Sequence, residues 1–173
     1  MLKLISPDAG TEQAVMEFRR EFIDRGERIS GGVGLEHAED YGRWLAGDYP
    51  PHYGKVREQV FLAVDAADNP SDGRPHIVGI SDIRLEPNDF IDHFAGRIGY
   101  SVRPSDRGRG YAHEILRLTL FKARELGFPR ILVTCNQTNV ASAKVIERNH
   151  GVLEAVVPHP GFPDVRRYWI NLV

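Results

Sequence analysis

The stretch IGYSVRPSDRGRGYAHEIL, Ile98 to Leu116, decides how the rest of the chain is read. A strand-like run ends at Pro104, and a turn carrying Gly108 and Gly110 feeds straight into a helical pattern. Such a junction leaves several backbone N–H groups unpaired beside the positive end of a helix dipole, which together hold a phosphate without a dedicated side chain. Gly108 and Gly110 let an anion approach the main chain, and Arg107 and Arg109 add charge. The spacing points to a pyrophosphate site, although glycine ahead of a helix also serves simply to make a turn. Two other phosphate loops are excluded. The dinucleotide fingerprint needs a third glycine where His113 stands and an acidic residue closing the next strand, where Thr134, Cys135 and Asn136 stand. The Walker loop needs GKS or GKT, and neither occurs.

Outward from that stretch, Gly96 to Arg103 reads as a strand and Gly108 to Leu126 as a helix with Ala112, Leu116, Leu120 and Ala123 on one side, stopped by Gly127 and Pro129. Downstream come a buried strand at Arg130 to Cys135, a helix at Asn139 to Asn149, and strands at Val152 to Val157 and Val165 to Val173. Upstream, Gln59 to Asp65 and His76 to Leu85 form an antiparallel pair around a turn at Asp68 to Gly73, and Glu86 to Ala95 is a loop over the sheet. The chain opens with a short strand at Leu2 to Ile5. A helix then runs from the Ser6–Pro7 cap to Gly26, with Val15, Phe18, Phe22 and Ile23 on one face. A glycine-rich loop at Ser30 to Gly34 leads to a helix at Glu36 to Ala46, and Pro50 and Pro51 forbid its continuation. This order predicts a mixed α/β sheet with one strand-helix-strand crossover. No repeat or low-complexity linker interrupts it.

A length of 173 residues suits one domain, with 42% apolar and 27% charged residues in the range of an ordinary globular protein. A net charge of −2 gives no reason to expect nucleic acid or an anionic membrane as partner. Met1 to Ile5 leads into Ser6 and Pro7 without a signal-peptide pattern, and no apolar run is long enough to span a bilayer, so a cytoplasmic protein is expected. The lone Cys135 excludes an internal disulfide, and seven scattered histidines make no metal-binding spacing, so no metal is expected.

Arg107, Gly110 and Ala112 match the Q/RxxGxG/A signature of the GNAT superfamily of acetyltransferases, between the fourth strand and the third helix. The strand ILVTCN and the run NVASAKVIERNHGVLE follow in the expected order, while VGISDIRL upstream and RRYWI at the end also resemble a bacterial branch of that family. The resemblance implies a largely antiparallel GNAT-type sheet flanked by about four helices, with the fourth and fifth strands splayed around the pantetheine arm of acetyl-CoA. It implies that Tyr100, Ser101 and Val102 line that arm, largely through backbone groups, and that Gly108, Arg109, Gly110, Tyr111, Ala112 and His113 hold the pyrophosphate with Arg107. Asn139 corresponds to an asparagine that contacts the cosubstrate, with Ser142 one turn later; a plain helix cap is the competing role. The side chain of Tyr111 reads as packing and that of His113 as solvated.

The sequence departs from the family where acid and base are concerned. Ile146 stands where many relatives carry a tyrosine that protonates the departing thiolate, Thr134 replaces a glutamate used as base, and Gly96 offers no carboxylate. Glu86 and His93, in the loop before the fourth strand, are the candidate bases. Arg84 reads either as a partner for an acidic acceptor or as a surface ion pair. Cys135 reads as a small residue closing a buried strand rather than a nucleophile. The expected activity is acetyl transfer from acetyl-CoA to a primary amine of a small molecule or protein terminus by direct attack. The alternative is a noncatalytic acyl-CoA sensor.

Overall fold

The computed structural model describes residues 1–49, 51–66 and 73–173. Along the chain run β1 (Leu2–Ile5), α1 (Glu12–Asp24), α2 (Tyr41–Leu45), β2 (Glu58–Asp65), β3 (Ile77–Arg84) and β4 (Ile98–Val102). There follow α3 (Tyr111–Glu125), β5 (Arg130–Asn136), α4 (Val140–Arg148), β6 (Val152–Val157) and β7 (Val165–Asn171). The element order is the one expected from the sequence. The turn expected at Asp68 to Gly73 and the role of Pro50 lie largely outside the described residues.

The seven strands form one sheet in the order β1-β2-β3-β4-β5-β7-β6. Every neighbouring pair is antiparallel except β4 and β5, which are parallel and joined through α3. Successive strand residues point to opposite faces, so Leu62 and Ile80 pack with Val15, Phe18 and Phe22 of α1 and with Trp44 of α2. Phe61, Ile83 and Ile98 face the other way, toward Leu116 and Leu120 of α3 and Ile146 of α4. Covered on both faces, β3 is buried along its whole length. Each large apolar side chain removed from water in these layers contributes roughly 1.5–3 kcal/mol, which is what fixes the helices to the sheet.

Four local expectations are corrected. The 3₁₀ turn Ala9–Thr11 that leads into α1 is capped by Asp8 rather than by Ser6 and Pro7: Asp8 Oδ1 accepts from Thr11 N at 3.1 Å and Thr11 Oγ1 accepts from Asp8 N at 3.0 Å. Such a reciprocal box satisfies two orphan amides, which a proline cannot do. Ile23 is 43% exposed, off the α1 stripe of Ala14, Val15, Phe18 and Phe22. The segment expected as one helix from Glu36 divides into a short turn of helix at Leu35–His37 and α2, because Asp40 caps α2 by accepting from Arg43 N at 2.7 Å. The expected loop before β4 contains a π-helical turn at Ile91–Ala95, held to β5 by Thr134 Oγ1 donating to Phe94 O at 2.8 Å. Among the described residues no helix is long and apolar enough to cross a membrane.

Candidate active site

β3 covers one edge of β4 along all of Ile98–Val102. The other edge meets β5 at a single position, Ile98 opposite Val133, next to Arg97 N donating to Leu132 O at 2.8 Å. Beyond it the two strands diverge, leaving Gly99 to Val102 without a strand on that side among the described residues. Backbone amides and carbonyls at such an edge require other partners, so the gap is suited to an extended ligand with peptide-like groups. Across its floor the Tyr100 hydroxyl meets Ser142 Oγ of α4 at 2.7 Å. Burial raises the Tyr100 hydroxyl to about 12. Cys135, closing β5, lies beside the same Ser142, and burial raises its thiol too. A raised thiol is a poor nucleophile at neutral pH, in keeping with its expected packing role.

At the far end of β4 the turn Arg107–Gly110 enters α3. Gly108 and Gly110 are left-handed, with φ of +82° and +81°, and nothing lies within 4 Å of where a side chain would begin. Gly110 caps α3 without any side-chain hydrogen bond, so no side chain claims the first-turn amides, of which His113 N donates to Gly110 O at 3.2 Å. The arginines contribute less free charge than expected. Arg107 is paired with Glu27 at 2.5 Å and Arg109 with Asp106 at 3.1 Å. The Arg107 pair is exposed, worth at most about 1 kcal/mol and readily exchanged for another anion, whereas Asp106 is buried and also bonded to His76.

The neighbouring predicted residues have defined tasks. The Tyr111 hydroxyl donates to Asp65 Oδ2 at 3.0 Å. His113 was expected to be solvated, but its Nδ1 meets Asn149 Nδ2 at 3.0 Å, tying the start of α3 to the end of α4. Asn139 caps α4, its Oδ1 accepting from Ser142 N at 3.0 Å. Ser101 Oγ exchanges two 2.8 Å hydrogen bonds with the backbone of Ser30, so its side chain serves the opposite face of β4 from Tyr100.

On that opposite face lies a cleft of about 110 Å³, lined by the 28–37 loop, residues 51–53, Asp82 and Arg84. The loop descends directly onto β4: a Cβ on Gly31 would sit 2.5 Å from Gly99 O, and one on Gly99 would sit 2.6 Å from Gly31 N. Only two glycines allow this approach, which sets the cleft against the strand segment whose far edge is open. Its floor is charged. Asp82 is wholly buried, with Oδ1 accepting from Gly99 N at 2.9 Å and lying 3.4 Å from Arg84 Nη2. Arg84 also donates to Ala95 O and Gly96 O at 2.9 Å, and its guanidinium lies 4.5 Å from the centre of the Tyr53 ring. Glu58, opposite Arg84 in the β2–β3 register, accepts from the Tyr53 hydroxyl at 3.0 Å. Burial pushes its carboxyl from the ordinary 4.5 up to about 8. Burial also raises Asp82, against the lowering influence of Arg84 and of the Gly99 N–H.

The candidate bases stand apart from this cleft. Glu86 is exposed and bound by Arg57, whose Nε donates at 2.6 Å and whose N donates at 3.0 Å. Those bonds hold its carboxyl below the usual range, the opposite of what a base near neutral pH needs. His93 is exposed with Nδ1 at 2.7 Å from Asp89 O, and neither residue lines the cleft. Arg84 is 5% exposed and belongs to the floor, not to a surface ion pair. Ile146 is fully buried in the core, and Tyr168, also fully buried, donates to Glu147 Oε1 at 2.9 Å. The sequence reading missed Glu36, Tyr53, Glu58 and Asp82. Its available signal was acidic residues at inward positions of apolar strand runs.

Among solved structures the fold is shared with spermidine N-acetyltransferase from Vibrio cholerae in complex with CoA and spermine. The identity is 18% over 99% of this chain and 95% of that one, with a TM-score of 0.66. It is shared too with the ribosomal L7/L12 alpha-N-protein acetyltransferase RimL in complex with CoA, at 18% identity over 98% and 93% of the two chains and a TM-score of 0.68. No curated protein sequence matches. The sequence model of the acetyltransferase (GNAT) domain matches residues 35–152, a span from the loop above the cleft to the start of β6, and the chain therefore belongs to the GNAT acetyltransferases.

Proposed function

We propose that the chain transfers an acetyl group from acetyl-CoA to a primary amine, the cosubstrate lying in the β4–β5 gap and the amine entering the cleft on the other face of β4. One observation carries this reading: β4 is open along one edge and backed on its α1 face by a charged cleft. The residues fit the cosubstrate. Main-chain groups of Tyr100 and Val102, on the edge that β5 leaves open, match the amides of a pantetheine arm, and the amides from Gly108 into the first turn of α3, with open space at both glycines, match a pyrophosphate. Acetyl-CoA supplies the acetyl group as a thioester, whose thiolate, with an ordinary thiol pKa of about 8.5, is a tolerable leaving group. An N–H from β4, that of Tyr100 or Val102, then faces the carbonyl oxygen and stabilises its developing negative charge. No enzyme nucleophile is required, and Cys135 keeps its packing role. Spermine in the Vibrio complex and the protein terminus named for RimL support an amine acceptor, with the individual amine still to be assigned.

Incubation with acetyl-CoA and a panel of small amines and peptide termini, read by free-thiol release and product mass, tests the reading. Acetylated amine is the expected result. Calorimetric binding of acetyl-CoA with no transfer to any amine would instead favour a noncatalytic acyl-CoA sensor, the reading that the buried Ile146 and the tied Glu86 would then suit.

A further inference from the structure

Glu58 and Asp82 stand on adjacent strands, with Glu58 opposite Arg84 and Val60 opposite Asp82, so both carboxyls lie on the α1 face of the sheet. Three donors reach two of their four oxygens: the Tyr53 hydroxyl to Glu58 Oε2, and Gly99 N and Arg84 Nη2 to Asp82 Oδ1. The remaining oxygens, Glu58 Oε1 and Asp82 Oδ2, are buried without a hydrogen-bond partner, and each carboxyl influences the protonation of the other. Two neighbouring carboxylates in a buried site resist being ionised together, so the pair retains one proton until the pH passes about 8. With Arg84 beside them the cluster is then neutral overall. Asp82 lines the cleft, and Glu58 lines the adjoining cavity of about 170 Å³, with Val33 and Pro51 bordering both.

We propose that the Glu58–Asp82 carboxyl pair is the proton acceptor that converts the incoming ammonium into the attacking amine. The inference rests on the acetyl-transfer reading above. In the reactive form the pair has lost that proton. An R–NH₃⁺ group in the cleft gives one proton to the pair, restoring its singly protonated state, and the free amine attacks the thioester carbonyl. The C–N bond forms, the C–S bond breaks, the second nitrogen proton passes to the thiolate, and the proton on the pair returns to solvent. The net products are the amide, CoA thiol and one proton. Other titratable groups lining the two cavities are Arg84 of β3, Tyr53 and His52 of the 51–53 segment, Arg28, Glu36 and His37 of the loop, and Tyr49 and Lys55 on the Glu58 side. His52 is held below its ordinary 6.5 by burial and by Arg28 and Arg84, so its titration is separable from that of the pair.

The test is the pH profile of kcat/KM for the parent and Glu58→Gln, using an amine that the parent acetylates, over roughly pH 6 to 10. The parent should show an ascending limb near pH 8; Glu58→Gln should lose that limb and roughly a hundredfold in rate, with acetyl-CoA affinity retained. In parallel, ¹³C-carboxyl NMR of the unmodified protein labelled at glutamate should contain one carboxyl titrating near pH 8, a readout that does not depend on the variant folding. An unchanged limb and rate in folded Glu58→Gln, or glutamate carboxyls that all titrate below about pH 6, would overturn the proposal while leaving acetyl transfer intact. A parent that acetylates no amine would remove the functional reading itself.

Discussion

On the α3 side of β4 the site is made of main chain: an open strand edge, two left-handed glycines and an uncapped helix start. On the α1 side it is made of side chains, with Asp82, Arg84, Glu58 and Tyr53 brought together from two strands and a loop. A backbone-built site recognises groups common to every molecule carrying the same arm and pyrophosphate. A side-chain-built site recognises one acceptor and is free to differ between relatives without disturbing the fold. The contrast teaches where substitutions should separate cosubstrate affinity from stability and acceptor chemistry.

The largest expected effect tests whether the acceptor floor is a buried charge cluster. Asp82→Ala leaves the Arg84 guanidinium, 5% exposed, without the carboxylate that it contacts at 3.4 Å, with only the more distant Glu58 left in the cluster. Removing one partner of such a pair should cost roughly 3–5 kcal/mol in denaturant unfolding. A loss below about 1 kcal/mol would mean that Arg84 finds water and that the floor is not closed. Gly110→Asp probes the other side. Aspartate tolerates the left-handed conformation better than most residues, and the space beyond Gly110 is open, so the fold should survive. A carboxylate aimed at a phosphate should lower CoA affinity at least roughly a hundredfold by calorimetry, about 2.7 kcal/mol. Unchanged affinity in the folded variant would remove the main-chain cradle.

Smaller effects sharpen the same contrast. The folded state keeps a proton on Glu58 that the unfolded chain releases near the ordinary 4.5, so this stabilisation is full below that value and is lost as the pH climbs through about 8. Thermal midpoints of the parent should therefore decline across that window, and those of Glu58→Gln should decline less; parallel curves would contradict a protonated Glu58. Cys135→Ser, at the floor of the gap, should keep turnover within roughly tenfold, about 1.4 kcal/mol of barrier. An acetyl group trapped on Cys135 by mass spectrometry would reverse that view. The smallest effect is expected for Glu86→Gln, whose carboxylate is exposed and tied to Arg57: kcat should stay within about twofold.

Legibility followed the same division. The turn before α3 is contiguous, so the glycines at 108 and 110, the proline at 104 and the helical pattern after them are readable together, and strands with strong apolar runs were found close to their ends. Residues 36, 53 and 82 of the cleft and 58 of the adjoining cavity are far apart in the chain, and only the register of β2 with β3 brings Glu58 and Asp82 together. Glu86 and His93 were chosen for their nearness in sequence to β4, but a hydrogen bond to Arg57 and an exposed π-helical turn take them elsewhere. Asp8 was passed over because Ser6 and Pro7 offer an equally good local cap pattern, and the choice between them is made by Thr11, which returns a hydrogen bond to Asp8. Arg84 looked like a surface residue because nothing local indicates that β3 is covered on both faces.

Amide-resolved NMR of the protein titrated with CoA alone tests the division of the site most directly. Shifts and slowed exchange should concentrate at Gly99 to Val102 along the open edge of β4 and at Gly108 to His113 around the start of α3. Amides of Leu35 to His37 and His52 to Gly54, on the α1 face, should respond only when an amine is added. A CoA response confined to those α1-face amides, with β4 and the α3 start unmoved, would contradict the account.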